Sequence, residues 1–170
     1  MNAILAAGVL IGLLGSAWTF VMGITGWYKI PALANGLFIT VAMAIEIAGL
    51  VWGLRQTAQN RTYGGQILAG TMMAIVAGVI LIISSLVFTT IVFPTYFADI
   101  EQAYRAALQQ QGRSDAEIAA AIQANAASAT PMAQAMSGFI GTLVTGILAS
   151  AIIGLFVRRR VDLAISAAPR

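Results

Sequence analysis

Glu46 interrupts the stretch VAMAIEIAGLVWGLR, Val41 to Arg55, in which every other residue before the closing arginine is apolar or small. A lone carboxyl in such surroundings can bind a proton or a cation, or can hold a hydrogen bond between helices. The other acids that offer chemistry are Asp99, Glu101, Asp115 and Glu117, all within one polar stretch. Their spacing reads as solvated helix starts and ion pairs rather than as a catalytic pair. The chain has no histidine and no cysteine. The commonest general base, the usual haem ligand, thiolate metal sites and disulfides are therefore missing. No cofactor or metal is expected, and toward a pigment or haem the chain can offer only contacts through Trp18, Trp52 or backbone groups. The expectation is a protein that is not an enzyme.

The elements that must position Glu46 follow from composition. Of 170 residues 59% are hydrophobic and only 9% charged, against roughly a quarter charged in soluble domains. Such a surface belongs in hydrocarbon, which makes membrane lipid a partner. The net charge of +3 comes with no basic patch interleaved with aromatics, so nucleic acid is not expected. A helix needs about 20 apolar residues to cross a bilayer. Four stretches qualify, at about residues 4–27, 32–54, 66–93 and 132–157. Met1 to Ala7 carries no Lys or Arg, so the first stretch reads as a retained span rather than a signal peptide. The expected fold is all-α, an integral membrane four-helix bundle forming a single transmembrane domain over residues 1–170.

Orientation follows the basic residues. Arg55, Arg61, Arg158, Arg159, Arg160 and Arg170 fall on one side, and Lys29, Arg105 and Arg113 on the other. Both termini are thus expected in the cytoplasm and the loop 94–131 outside. Trp27, Tyr28, Phe93, Tyr96 and Phe97 mark the outer boundary, and Trp52 and Tyr63 the inner one. In the outer loop, Phe97, Ile100, Tyr104 and Leu108 recur at helical spacing. Glu101 and Arg105 stand four apart in the favourable order. Gly112 is a stop, and Ser114 with Glu117 has the spacing of a capping box. An amphipathic helical hairpin is expected between spans three and four.

Helices in lipid associate through small residues that let backbones approach. In the fourth span Gly138, Thr142, Gly146, Ser150 and Gly154 form a ridge at intervals of four. Span one has Gly8, Gly12 and Ser16, span two Gly49 and Gly53, and span three Gly70, Ala74 and Gly78. These ridges either join the four helices to each other or, on span four above all, face a partner subunit. At about 100 degrees per residue Glu46 shares a face with Asn35, Ala42, Gly49 and Gly53, which should point into the bundle. Arg55 lies roughly 13 Å away along the axis, too far to pair. Ser16, Thr71 and Ser150 stand at comparable depth, and a hydrogen bond from a neutral Glu46 to one of these hydroxyls is expected to fix helix register.

From Gly53 onward a longer pattern emerges. GLRQTAQNRTYGGQILAGTMMAIVAGVI closes one span and opens the next, IVFPTYF ends it, GRSDAEI lies in the polar excursion, and a glycine- and serine-rich helix ends in arginines. This order resembles the bacterial four-helix membrane proteins catalogued as domain of unknown function forty-one ninety-nine. The resemblance implies a multi-pass protein of the bacterial cytoplasmic (inner) membrane and carries no activity or site residues. With these features the expected role is that of an accessory or structural subunit, packing against other membrane subunits or against itself. The alternative is a small homo-oligomeric channel or proton- or ion-coupled transporter that uses Glu46.

Overall fold

The computed structural model describes residues 2–31, 33–58 and 61–157. The arginines at 158, 159, 160 and 170, on which the expected orientation leaned, lie outside the described residues. So does Ala32, the expected start of the second span.

Helix α1 runs Ala3–Ile24, with the Asn2 side chain accepting from the Ile4 N–H at its start. A 3-10 turn over Trp27–Lys29 follows, and a π-helical turn over Leu33–Leu37 leads into α2, Phe38–Thr57. The α3 helix, Tyr63–Val87, is capped by Thr62, whose side chain accepts from the Gly65 N–H. It passes into a second π-helical turn, Phe88–Val92. Next come α4, Tyr96–Gln110, and α5, Asp115–Asn125. The last described helix, α6, spans Pro131–Val157. Pro131 suits the first turn, where its missing N–H is not needed, and Thr130 accepts from the Ala133 N–H at 3.2 Å.

Four helical segments are long and apolar enough to cross a membrane: Ala3–Ile24, Leu33–Thr57, Tyr63–Val92 and Pro131–Val157. Large apolar side chains point outward along all of them, among them Leu13, Ile39, Ile83 and Leu148. This is the inverse of a water-soluble bundle and suits a hydrocarbon surround.

The four spans form a ring in which α3 packs along its length against α1 and α6, while α2 closes the ring against α1 and, more lightly, α6. Glycines set the approach of each pair. A Cβ on Gly8 would stand 2.8 Å from the Met73 carbonyl oxygen of α3, and one on Gly12 would stand 2.8 Å from Ile80 Cβ. On α2, Gly49 meets Ile11 and Gly53 meets Ala7 of α1. Between α3 and α6 the steps run antiparallel: Gly78 faces Phe139, Ala74 faces Gly146, Gly70 faces Ser150, and Gln66 lies beside Gly154. The innermost side chains, Ala7, Ile11, Leu50, Leu54, Ala69, Met73 and Ala77, come from α1, α2 and α3.

At the opposite end from the α2–α3 connection, aromatic rings fill the bundle mouth. Phe88 lies 4.7 Å from Phe93 and 5.3 Å from Tyr96, and Tyr28 lies 5.1 Å from Tyr96, between ring centroids. The π turn after α3, closed by a 2.8 Å bond from the Phe93 N–H to the Phe88 carbonyl, brings Phe88 and Phe93 together in the space left by Gly23. Tyr28, Phe93 and Tyr96, read from the sequence as boundary markers, thus pack on one another.

Outside the spans, α4 ends in a Schellman motif. The Gly112 N–H bonds the Gln109 carbonyl at 2.9 Å, and the Arg113 N–H bonds the Leu108 carbonyl at 3.2 Å. Gly112 has φ +75°, the left-handed value this motif places on glycine. Ser114 and Glu117 complete a reciprocal capping box at the start of α5. Ile118 is the buried side chain of α5, and on α4 the residues Phe97, Ile100 and Leu108 are half-buried while Tyr104 is exposed.

Candidate functional site

Glu46 sits mid-span on the inner face of α2 and is 7% exposed. Gly49 and Gly53 share its buried face and Ala42 is half-buried, but Asn35 is exposed. The reason is the π-helical turn at 33–37, whose wider winding shifts the phase of everything before it. A strict α-helical count therefore fails at Asn35.

The expected hydrogen bond from Glu46 to a neighbouring hydroxyl is not formed. The Ser16 hydroxyl donates to the Gly12 carbonyl at 2.7 Å and that of Thr71 to the Ile67 carbonyl at 2.9 Å. Both satisfy themselves on their own helix, as Ser and Thr in apolar helices commonly do. Glu46 Oε1 has no hydrogen-bond partner among the described residues, and neither does Ser150 Oγ. Oε1 lies against α6 at Gly146, 3.3 Å from where a Cβ there would stand.

Further toward the α2–α3 connection is a residue that periodicity did not single out. Gln66 is fully buried at the start of α3. Its Oε1 accepts from the Thr57 hydroxyl at 3.2 Å, while its Nε2 has no partner among the described residues. Nearby, the Tyr63 hydroxyl donates to the Ala151 carbonyl at 3.1 Å, tying α3 to α6. The third span, expected from the sequence to begin at Gln66, starts earlier in the structure, at Tyr63, which sets the glutamine inside the helix.

The ridges divide between inside and outside. Gly8 and Gly12 are buried against α3 and Ser16 is buried on the same helix as these glycines, while Gly146, Ser150 and Gly154 are buried against α3 and α2. Thr142 is half-buried. Gly138, at the other end of the α6 ridge, is exposed, and a Cβ there or on Gly141 would meet nothing within 4 Å.

Three of the four acids of the outer segment are held in pairs, and Asp115 forms no ion pair among the described residues. Asp99 is the most elaborated: its Oδ2 accepts from the Tyr28 hydroxyl at 2.7 Å and from Thr95 Oγ1 at 3.2 Å, and meets Lys29 Nζ at 3.1 Å. The Tyr28 hydrogen bond and then the Lys29 contact hold this carboxyl below its ordinary range. The same contact raises the Lys29 ammonium. Tyr28 is pushed up mainly by burial. Glu101 pairs with Arg105 at 3.3 Å and Glu117 with Arg113 at 3.2 Å, both pairs well exposed. Glu117 is lowered chiefly by the Ser114 backbone N–H. These contacts anchor and cap helices.

Trp18 and Trp52, the tryptophans read from the sequence as contacts for a pigment or haem, differ. The Trp18 indole N–H is occupied by the Phe38 carbonyl at 3.3 Å, whereas Trp52 is exposed beside an open apolar groove of about 490 Å³ between α1 and α2. Leu10, Ile11, Leu14, Ala44 and Ala48 also line that groove.

Fold and composition together define an all-α integral membrane bundle of four spanning helices with a helical excursion between the third and fourth. The chain belongs to the family described as protein of unknown function (DUF4199), whose model matches residues 7–159. No curated protein and no solved structure matches it.

Proposed function

We propose that this chain is a non-catalytic accessory subunit of a larger assembly in a bacterial cytoplasmic membrane, with both ends on the cytoplasmic side. The observation that carries this reading is the division of the α6 ridge. Its inner half is consumed by the bundle, while Gly138, with Gly141 beside it, opens onto the surroundings with nothing in reach of a side chain. Lipid gives no reason to bare helix backbone, whereas a helix of another chain packs best on such small residues. The orientation is supported by the sequence count, in which Arg55, Arg61, Arg158, Arg159, Arg160 and Arg170 fall on one side against Lys29, Arg105 and Arg113 on the other.

The test is to solubilise native membranes in mild detergent and follow the untagged protein by native gel and mass spectrometry. The expected result is migration with other chains in fixed stoichiometry, lost on Gly141→Leu while the chain still inserts. Migration alone or as a homo-oligomer overturns the reading and turns attention to a channel.

A further inference from the structure

We propose that Glu46 is a proton-binding site inside the membrane that exchanges its proton through water with the side carrying the α2–α3 connection, by way of Ser150 and Gln66. The proposal concerns the interior of the bundle and stands apart from any docking on the outer half of α6.

Three buried polar atoms lack partners among the described residues: Glu46 Oε1, Ser150 Oγ and Gln66 Nε2. They are not scattered. Glu46 Oε1 faces α6 at Gly146; Ser150 is one turn further along α6, against Gly70; and Gln66 is one turn from Gly70 along α3. The line ends at Thr57, the last residue of α2, whose hydroxyl is half-buried and donates to Gln66. Polar groups thus succeed one another at one-turn intervals from mid-span to the end of the bundle. In the other direction the same seam is closed by the Phe139 ring packed on Gly78. The line therefore has one open end.

An unpaired buried polar group costs about 1–3 kcal/mol, and lipid tails offer it nothing. Three in one seam call for a common partner. Water serves because it donates and accepts at once, and buried waters make about three hydrogen bonds to groups that would otherwise go unpaired. A water between Glu46 and Ser150, and another between Ser150 and Gln66, would join the carboxyl to the Thr57 end.

Nothing else near the carboxyl competes for this role. The described parts of α1, α3 and α6 carry no Asp, Glu, Lys or Arg within the spans. On α2 the guanidinium is that of Arg55, exposed at the helix end, and the one titratable group of α3, the Tyr63 hydroxyl, is engaged by Ala151. A carboxylate with no cation beside it is neutralised most simply by a proton. Binding is the plain equilibrium of carboxylate plus proton with carboxylic acid.

The experiment is infrared difference spectroscopy of the full chain in lipid nanodiscs. The expected result is a protonated-carboxyl C=O band that grows as the pH falls, is missing in Glu46→Gln, and shifts on transfer to deuterated water. Ser150→Ala and Gln66→Leu should slow that deuterium shift several-fold and leave the band itself in place. Ser150→Ala only removes an atom from a tight contact, so it keeps the test readable should Gln66→Leu fail to fold. The proposal is overturned by a band indifferent to Glu46→Gln, or by exchange that ignores both other substitutions. Loss of the band on adding sodium at constant pH also overturns it, because Glu46 would then be a cation ligand.

Discussion

The Ser150 hydroxyl of α6 occupies the space that a side chain at position 70 of α3 would need. The two helices meet here backbone against side chain, with Leu50 of α2 beside the same point. Contacts of this kind hold helices together in lipid, where hydrophobic burial between helices gains little. Gly70→Ala must therefore push α6 away. The expected loss is about 1–3 kcal/mol, the usual cost of overpacking, measured as a lowered midpoint in detergent unfolding. Pairing it with Ser150→Gly should restore most of the loss, because that change removes both offending atoms. A double variant as weak as Gly70→Ala alone would show that position 70 matters for another reason.

A second glycine contact is harder to relieve. The Cβ of an alanine at position 8 would stand 2.8 Å from the Met73 carbonyl oxygen and 2.6 Å from Val76 Cβ. A main-chain carbonyl cannot swing aside as a side-chain tip can, so Gly8→Ala should lower the unfolding midpoint by a similar 1–3 kcal/mol or so. Gly64→Ala and Gly141→Ala, whose added methyls would meet nothing within 4 Å, should leave it unchanged or slightly raised. Equal effects at all of these positions would mean that helix propensity, rather than approach distance, governs them.

The spans and their packing faces were readable because composition, span length and small-residue spacing act along single helices, where period 3.6 holds. The burial of Gly8, Gly12, Gly146 and Ser150 follows from that period. Asn35 escaped because a π turn breaks the period, and no residue type marks such a turn. The partners of polar side chains were less legible. Ser16 and Thr71 turn back on their own helices, a choice of rotamer rather than of spacing. The contact of Tyr28 with Asp99 joins residues 71 apart, and no local pattern encodes it. Gln66 stood in plain view at the start of a span, but its burial and its isolation on the Nε2 side depend on how α3 meets its neighbours.

The Asp99 cluster makes a pH prediction for the outer segment. Hydrogen bonding to Tyr28 and Lys29 lowers the Asp99 carboxyl from its ordinary 3.8. A carboxyl lowered on folding stabilises fully above its unfolded value, and that contribution is lost as the pH falls through the lower folded one. Lys29 is raised above 10.5, so its share persists below that value and is lost as the pH rises through the raised one. The tie between α4 and the 27–29 turn should hold across the neutral range and loosen at both extremes. Amide hydrogen exchange of residues 96–100 reports it, and Asp99→Ala should raise that exchange at neutral pH. Exchange unaltered by Asp99→Ala would mean that the aromatic packing of Tyr28 on Tyr96 holds α4 by itself.

Ser114 tests the outer segment in a different way. Its hydroxyl accepts from the Glu117 N–H at 3.4 Å, and the Glu117 carboxylate in turn accepts from the Ser114 N–H at 2.9 Å. Ser114→Ala removes the first bond and should weaken α5 by about 1 kcal/mol, as loss of an N-cap usually does. The readout is faster amide exchange over residues 115–118, with the four spans unaffected. Faster exchange within α3 or α6 would show that α5 supports the bundle rather than lying outside it.

The effect of replacing Glu46 separates two roles that the sequence left together. If its carboxyl fixed helix register through a hydroxyl, Glu46→Leu would loosen the bundle. Because Oε1 has no protein partner, removing the carboxyl breaks no bond between helices and takes away a buried polar group that only water can serve. Apolar replacements of such groups are commonly neutral or stabilising. Glu46→Leu and Glu46→Met should therefore keep the detergent-unfolding midpoint of the native chain or raise it by up to about 3 kcal/mol, with Glu46→Gln close to native. Ser150→Ala, which removes another of the three unpaired groups in that seam, should behave likewise, since Gly70 crowds the hydroxyl without bonding it. A clear drop for Leu with Gln unchanged would reinstate the hydrogen bond and its register-fixing role. A drop for both would mean that the ionised carboxylate itself holds the helices, which the absence of a cation beside it on α1, α3 and the described part of α6 argues against.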